Sequence, residues 1–477
     1  MTVQQLEAAT EEELVGRPSW VAPTIIGFGL MMVTLESTIM ANALPTIADA
    51  LKEEPLRLTL AMTMFLMATA VFLPISAWLA DRFGARRILM FAMALFALSS
   101  AACGWAHNLL ELVLGRMVQG ASASMLIPVG RLVLLRITPR ERMVDALTLL
   151  TVPLMVGPLI GPLLGGAIVT FFNWRWIFFI NLPVAAAAIV LVRMFVPEVK
   201  EDTTYPMDWP GFALTAVGLA SIIFGFENLG RSELPPAAVV GLFVLSAACF
   251  VLLARHARGN PNAIIDLEIF QIPTYAACII GGAFLRVAVG ATPFLLAMLL
   301  QVGFGMNALA AGALTLLSGA GALFMKGVTP PLVRRFGFRR TILVNGVLVA
   351  LSLIVFVFVT PSTPMWALSL IVGLGGFVRT LQFTAMNSLA YADLPRRSQS
   401  RGSTTSSMAQ QVTQSLGIGA SALLLHWLQG ARHAPRLTWE AIVPAFPIFG
   451  VISLVALVWF IRLPPEIGED LRGVRAP

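Results

Sequence analysis

Charge is scarce in this chain. Asp, Glu, Lys and Arg make up 12% of its 477 residues, against 57% hydrophobic residues and a mean hydropathy of +0.84. A soluble domain carries about 25% charged residues to cover its surface, so a water-soluble enzyme or binding domain is excluded and lipid is the solvent that tolerates this composition. Cysteine is nearly absent. Cys103, Cys249 and Cys278 have no paired spacing and each falls in an apolar run, which excludes a disulfide framework and leaves small packing residues. The four histidines are scattered without ligand spacing, so no metal site is proposed. The start holds Glu7, Glu11, Glu12 and Glu13 against Arg17 alone. It lacks the positive n-region and small-residue cleavage site of a signal peptide, and the first span is expected to stay.

What the chain has is apolar runs, each of about 17 to 25 residues, long enough as a helix to cross a ~30 Å hydrocarbon layer. Fourteen are found, at residues 20–43, 58–80, 88–105, 110–135, 146–171, 177–192, 211–227, 237–253, 274–299, 308–325, 342–360, 365–383, 404–427 and 442–461. A strand barrel would alternate polar and apolar residues in segments of about ten. These runs are continuously apolar and rich in Gly and Ala, so the expected fold is all-α and polytopic, with 14 transmembrane helices.

The net charge of +7 does not point to nucleic acid, because the bases fall mostly in every second loop, as the positive-inside rule requires of a membrane protein. With the N-terminus inside, the outer face keeps only Lys52, Arg57, Arg175, Arg231, Arg432 and Arg436. The expectation is a multi-pass inner (plasma) membrane protein with both termini cytoplasmic.

Asp81-Arg82-Phe83-Gly84-Ala85-Arg86-Arg87 recurs as Arg334-Arg335-Phe336-Gly337-Phe338-Arg339-Arg340, each between the second and third helix of a six-helix group. Parallel repeats of six helices, with substrate bound at their interface, are one way secondary transporters are built, and six helices here take about 190 residues. The copies stand 253 residues apart, so two helices intervene. The expected division is a cytoplasmic tail at 1–19, a six-helix bundle at 20–197, a two-helix insertion with its loops at 198–262, a second bundle at 263–462 and a cytoplasmic tail at 463–477. The insertion pair carries no ionisable residue near mid-span, and it is read as a link outside the transport core.

Several motifs coincide. The first span carries Leu35-Glu36-Ser37-Thr38 running to Asn42-Ala43-Leu44-Pro45, and the loop above is preceded by Ala77-Trp78-Leu79-Ala80. The fourth span holds Arg116-Met117-Val118-Gln119-Gly120, the fifth Gly157-Pro158-Leu159-Ile160-Gly161-Pro162-Leu163-Leu164-Gly165-Gly166, and Trp174-Arg175-Trp176-Ile177-Phe178-Phe179-Ile180-Asn181-Leu182-Pro183 opens the sixth. Together they resemble the fourteen-helix drug:proton antiporter branch of the major facilitator superfamily, over nearly the whole chain. Two departures stand out: the branch's usual Asp is Glu36 here, which keeps the charge on a longer arm, and the opening Gly of the loop motif is Ala77.

The resemblance implies roles. Glu36 and Arg116 are the proton-coupling pair. Asp81, Arg82, Gly84, Arg86 and Arg87 form a gating latch that breaks as the halves rock, or else a topology anchor, with Gly84 allowing the tight turn. Gly157, Pro158, Gly161, Pro162, Gly165 and Gly166 are the antiporter motif. Its prolines free backbone carbonyls, and its glycines permit close helix contact.

A charge at the middle of a span is costly, so it faces a cavity or a partner. Glu36, Arg116, Arg286 and Arg379 are such charges. Burial disfavours the ionised form of Glu36 and a nearby Arg favours it, so Glu36 can act as a proton carrier; a permanent structural pair with Arg116 is the other reading. Arg286 and Arg379 have no obvious acidic partner. They can hold a substrate carboxylate, or be satisfied by carbonyls, Gln382 and Asn387. Gln119, Gln382 and Gln410 complete the substrate-cavity candidates, and Gln411 and Gln414 accompany Gln410.

The expected function is proton-coupled export of drugs or other small organic molecules by alternating access, driven by the proton gradient without a cofactor. The partners are then a small-molecule substrate, protons and the lipid bilayer, for a protein acting as a monomer. One acid against three bases within the membrane raises an alternative, the export of anionic metabolites such as organic acids or their metal chelates. A proton symporter for uptake is a third reading. An embedded enzyme lacks support, since there is no metal-binding His pair, phosphate-gripping Gly-Lys loop or nucleophile elbow.

Overall fold

The computed structural model describes residues 20–139, 142–200, 206–229, 234–260, 263–395, 398–432 and 436–464, and these are helical with no strand among them. The expected tails at 1–19 and 463–477 lie outside the described residues, apart from 463–464, and so does Arg231.

The helices follow the apolar runs. α1 spans Val21–Leu51, α2 Pro55–Phe83, α3 Ala85–Trp105, α4 Leu109–Ile137, α5 Met143–Phe171 and α6 Trp176–Phe195. α7 is Trp209–Asn228 and α8 Pro236–Gly259. The last six are α9 Pro273–Gly303, α10 Ala308–Phe336, α11 Phe338–Phe358, α12 Met365–Ala390, α13 Gln399–Ala431 and α14 Trp439–Ile461. Thirteen are long and apolar enough to cross a membrane. α13, with 33 residues, is not one of them because its first half is rich in Ser, Thr and Gln. Thr405, Ser406, Thr413 and Ser415 on that half are buried against other helices, so acyl chains do not meet them.

Several helices outrun the hydrophobic runs that predicted them. α1 continues past 43 through Pro45 to Leu51, ending where Lys52 turns left-handed (φ 57°), and α10 continues past 325 to Phe336. Backbone hydrogen bonding persists beyond the hydrocarbon layer, whereas the apolar signal stops at its edge.

Within the first six helices α1 packs on α5 and α6, α2 on α4, and α3 on α4 and α6. Among the last six α9 packs on α13 and α14, α10 on α12, and α11 on α12 and α14. Every one of these pairings in the first set thus recurs in the second. The repeated loop recurs in detail as well. Gly84 and Gly337 both have positive φ (98° and 78°); each donates to the carbonyl four residues back, Ala80 or Val333, and accepts from the amide four residues on, Ile88 or Thr341. A Cβ is disfavoured at such φ, which is why glycine stands at both turns. Arg86 Nη1 donates to Val196 O at the end of α6 (3.1 Å), and Arg339 Nη2 to Ile461 O at the end of α14 (2.7 Å).

The two sets meet along two seams, α5 against α10 and α2 against α13. α7 covers the second seam by packing on both α2 and α13, with Phe72 against Phe212 and Trp78 against Trp209, while α8 packs on α7. The start of α7 and the end of α8 are tied by Asp208, which caps α7 at Gly211 N (3.0 Å) and meets His256 of α8 at 2.7 Å. The pair is therefore fastened to both halves through α7.

Candidate functional site

The four mid-membrane charges fall into two different environments. Glu36 and Arg116 are brought together from α1 and α4, at 0% and 1% exposure, with Arg116 Nη1 3.0 Å from Glu36 Oε1. The other carboxylate oxygen, Oε2, accepts from Asn181 Nδ2 of α6 at 2.6 Å. Arg116 also donates to Gln119 Oε1 (2.6 Å) and to Ala61 O of α2 (3.3 Å), and its guanidinium lies 4.2 Å from the centre of the Phe65 ring. Gln119 Nε2 then donates to Ser100 Oγ of α3 (2.6 Å), which Asn181 also reaches at 3.2 Å. Five helices of the first half thus close one polar network in an apolar interior. A buried ion pair survives there only when its remaining hydrogen-bonding capacity is met, as it is here.

Gln119 departs from its expected place. It is fully buried and bonded at both ends of its amide, so it belongs to this network and not to an open cavity wall. Asn181 and Ser100 were not singled out from the sequence. Asn181 is an uncharged residue within the motif that opens the sixth span, and Ser100 gives no signal, since a serine in an apolar run usually bonds its own helix.

The antiporter motif uses two faces of α5. Gly157, Gly161 and Gly165 face α1, where a Cβ would run into Thr34 and Leu35, into Thr38, and into Ile39, respectively. Pro158 removes the amide that would bond Leu154 O, and Thr34 Oγ1 of α1 takes that carbonyl at 3.0 Å. Gly166 faces Ala308 and Leu309 of α10, while Pro162 O and Pro158 O lie against Gly312 and Gly319. One helix therefore touches the Glu36 helix on one side and the opposite half on the other.

Near the Leu51 end of α1 the halves are joined through Asn42. Its Nδ2 donates to Pro162 O (2.9 Å) within its own half and to Ala308 O (3.0 Å) across the seam, and Gln301 Nε2 of α9 returns to Asn42 O and Oδ1 at 2.8 and 2.9 Å. Ser415 Oγ donates to Thr63 O across the other seam at 3.4 Å. Between the helix ends of both halves on this side lies a vestibule of about 990 Å³, lined in part by Asp49, Lys52, Glu53, Gln301 and Arg436. Asn42 was visible as a polar residue inside an apolar run; Gln301 lay just past the expected end of its span.

At the opposite ends of the helices Asp81 Oδ1 accepts from Arg136 Nη2 of α4 at 2.6 Å. Glu198, following α6, stands 3.6 Å from Arg86 and 3.5 Å from Arg87 and caps α3 at Arg86 N, and Arg82 lies over the Trp78 ring. The loop is thus held by α4, α6 and the start of the 198–208 stretch.

In the second half the two mid-span arginines, Arg286 and Arg379, have no carboxylate partner among the described residues. Arg286 is 4% exposed and donates to Cys278 O at 2.8 Å, in a wide π turn over Ala277–Gly281, and to Asn387 Oδ1 at 3.5 Å. Arg379 is half-buried and donates to Ser318 Oγ of α10 at 3.1 Å. Gln382 departs from expectation as Gln119 does: it is fully buried, accepting from Asn345 and donating to Ile342 O, so it joins α12 to α11 and does not satisfy either arginine. Gln410 is half-buried, one turn before Gln414, whose backbone packs on Gly290 of α9.

The profile of the Major Facilitator Superfamily matches residues 26–422 and 278–476. The chain belongs to this superfamily. It is 36% identical over 459 residues to the Serratia proteamaculans protein named "Putative multidrug resistance protein MdtD", covering 95% of each chain, and 36% identical over 459 residues to the Escherichia coli protein of that name, covering 94% and 95%. Its fold is similar to that of an auto-inhibited peptide transporter of the POT family, with a TM-score of 0.68 at 17% identity over 96% and 98% of the two chains. As a major facilitator protein it is a polytopic membrane transporter of small molecules and not an enzyme.

Proposed function

We propose that this transporter exports drugs or other small organic molecules in exchange for protons, by alternating access between two halves at 20–197 and 263–462 joined by the 198–262 insertion. The observation that carries this reading is the Glu36–Arg116 pair, sealed inside one half yet placed on the helix that packs against α5. A proton arriving at Glu36 removes the negative charge, but Arg116 keeps Gln119 Oε1, Ala61 O and the face of Phe65, so the network tolerates both states. Loss of the attraction between α1 and α4 lets α1 shift against the Gly157, Gly161 and Gly165 face of α5. That face is backed by α10, and the movement reaches the Asn42–Gln301 closure at the outer end. Asp81, Arg82, Gly84, Arg86 and Arg87 act as the inner latch.

The names of the relatives support drug cargo, and nothing in them favours anionic cargo or uptake. The protein works as a monomer in the inner membrane with both termini cytoplasmic and needs no cofactor beyond the proton gradient. Everted vesicles given a panel of cationic, neutral and anionic compounds in the external medium test this. Accumulation that stops when the proton gradient is collapsed supports it, and accumulation indifferent to the gradient contradicts it.

A further inference from the structure

The second half carries a groove whose lining includes neither the Glu36–Arg116 network nor the Asn42–Gln301 contact. A cavity of about 360 Å³ lies where α10, α11 and α12 meet. Its walls are apolar, and Phe336, Val344 and Leu348 are 44%, 56% and 45% exposed, so on a membrane-spanning bundle they face lipid. Three polar residues interrupt this wall along α11. Arg340 is exposed near the cytoplasmic end of the helix, Thr341 follows it, and Asn345 comes one turn deeper. Thr341 and Asn345 are more than nine-tenths buried, yet Thr341 Oγ1 and Asn345 Oδ1 have no hydrogen-bond partner among the described residues. Asn345 spends its Nδ2 on Val378 O and Gln382 Oε1, which fixes the amide with its oxygen left over. In hydrocarbon such atoms are costly unless something polar reaches them.

The charge around the groove selects what that is. The loop at 334–340 holds four arginines and no acid, whereas its copy at 81–87 includes Asp81 and is met by Glu198. Arg334, Arg335 and Arg340 are exposed, and Arg339 is turned to Ile461 O. A patch of basic residues at the cytoplasmic edge of an apolar groove complements an anionic head above an acyl chain.

We propose that this groove seats one anionic phospholipid of the cytoplasmic leaflet. The phosphate pairs with Arg340, Thr341 Oγ1 donates to a phosphate or ester oxygen, and an acyl chain lies along Val344, Leu348 and Leu381. Asn345 Oδ1, an acceptor that the glycerol esters cannot serve, takes its hydrogen bond from a water carried in beside the head group. The site is separate from Glu36 and Arg116, so it stands or falls independently of the export reading.

Native mass spectrometry of the purified full chain, titrated with phosphatidylglycerol or phosphatidylcholine, tests the assignment without measuring transport. Wild type is expected to retain phosphatidylglycerol preferentially. Arg340→Gln should weaken that binding about fivefold, the worth of one basic residue near an anionic surface, and Arg193→Gln, at the inner end of α6, should leave it unchanged. Val344→Trp should block both lipids. Thermal melting gives a second reading, in which phosphatidylglycerol raises the Tm of wild type and of Arg340→Lys but not of Arg340→Gln. Equal retention of the two lipids, or equal loss in the Arg340 and Arg193 variants, would overturn the proposal.

Discussion

In the first half a carboxylate and a guanidinium are buried together with every neighbour arranged to hold them. In the second half Arg286 and Arg379 meet only neutral oxygens among the described residues. The helix pairings of the two halves match, as do the Gly84 and Gly337 turns, so the difference is in side-chain chemistry and not in architecture. It teaches that a duplicated frame can leave one half to handle charge while the other keeps a fixed electrostatic background. A titrating group needs a partner whose attraction can be switched off. Only the Glu36 site supplies one among these mid-membrane arginines.

The largest effect expected from this contrast falls on Glu36. Glu36→Gln, isosteric and neutral, should reduce proton-coupled export in vesicles to the level of vesicles lacking the protein, while leaving the protein folded. Arg116→Leu should do the same and also destabilise the bundle by ~3–5 kcal/mol, because it strands a buried carboxylate. Arg286→Leu strands no charge among the described residues, so its thermal destabilisation should be clearly the smaller. Equal losses for the two arginines would break the comparison.

Next comes the helix that connects the halves. Gly161→Val places bulk against Thr38 and should cost ~1–3 kcal/mol of overpacking, together with most of the transport rate. A variant of unchanged melting temperature and activity would show that α1 and α5 are not tightly apposed. Gln301→Ala removes two hydrogen bonds from the outer closure. At ~1 kcal/mol net for a hydrogen bond, it should raise the labelling rate of a cysteine placed at Thr46 in the vestibule by about fivefold or more. The smallest effect belongs to the partly exposed inner pair: Asp81→Asn should lower stability by only ~0.2–1 kcal/mol. Its influence should appear instead in the rate of inner opening, read by cysteine accessibility.

The fold was legible because hydrophobic runs of helix length are a strong signal, and the loop around Gly84 recurring around Gly337 pointed to two similar sets of helices. α13 was found despite its polar first half, since the apolar stretch after Gln414 marked it. The helix extensions to Leu51 and Phe336 were not visible, because beyond the hydrocarbon edge nothing apolar is required to continue a helix. Glu36 and Arg116 could be named from their cost in the membrane, but their companions could not. Asn181, Ser100 and Gln301 are uncharged, and which helix they face depends on rotations that composition does not encode. Gln119 and Gln382 were read as cavity lining for the same reason. A polar side chain in a span faces either water or another polar group, and here both found partners inside their own half.

The central claim is that a proton on Glu36 is exchanged for cargo. The most direct measurement is proton flux in sealed liposomes containing the purified protein and a pH-sensitive dye inside, with a transported drug added under an imposed pH difference. The account predicts drug-dependent proton movement in wild type and none in Glu36→Gln. Drug-dependent proton movement that persists undiminished in Glu36→Gln would contradict it.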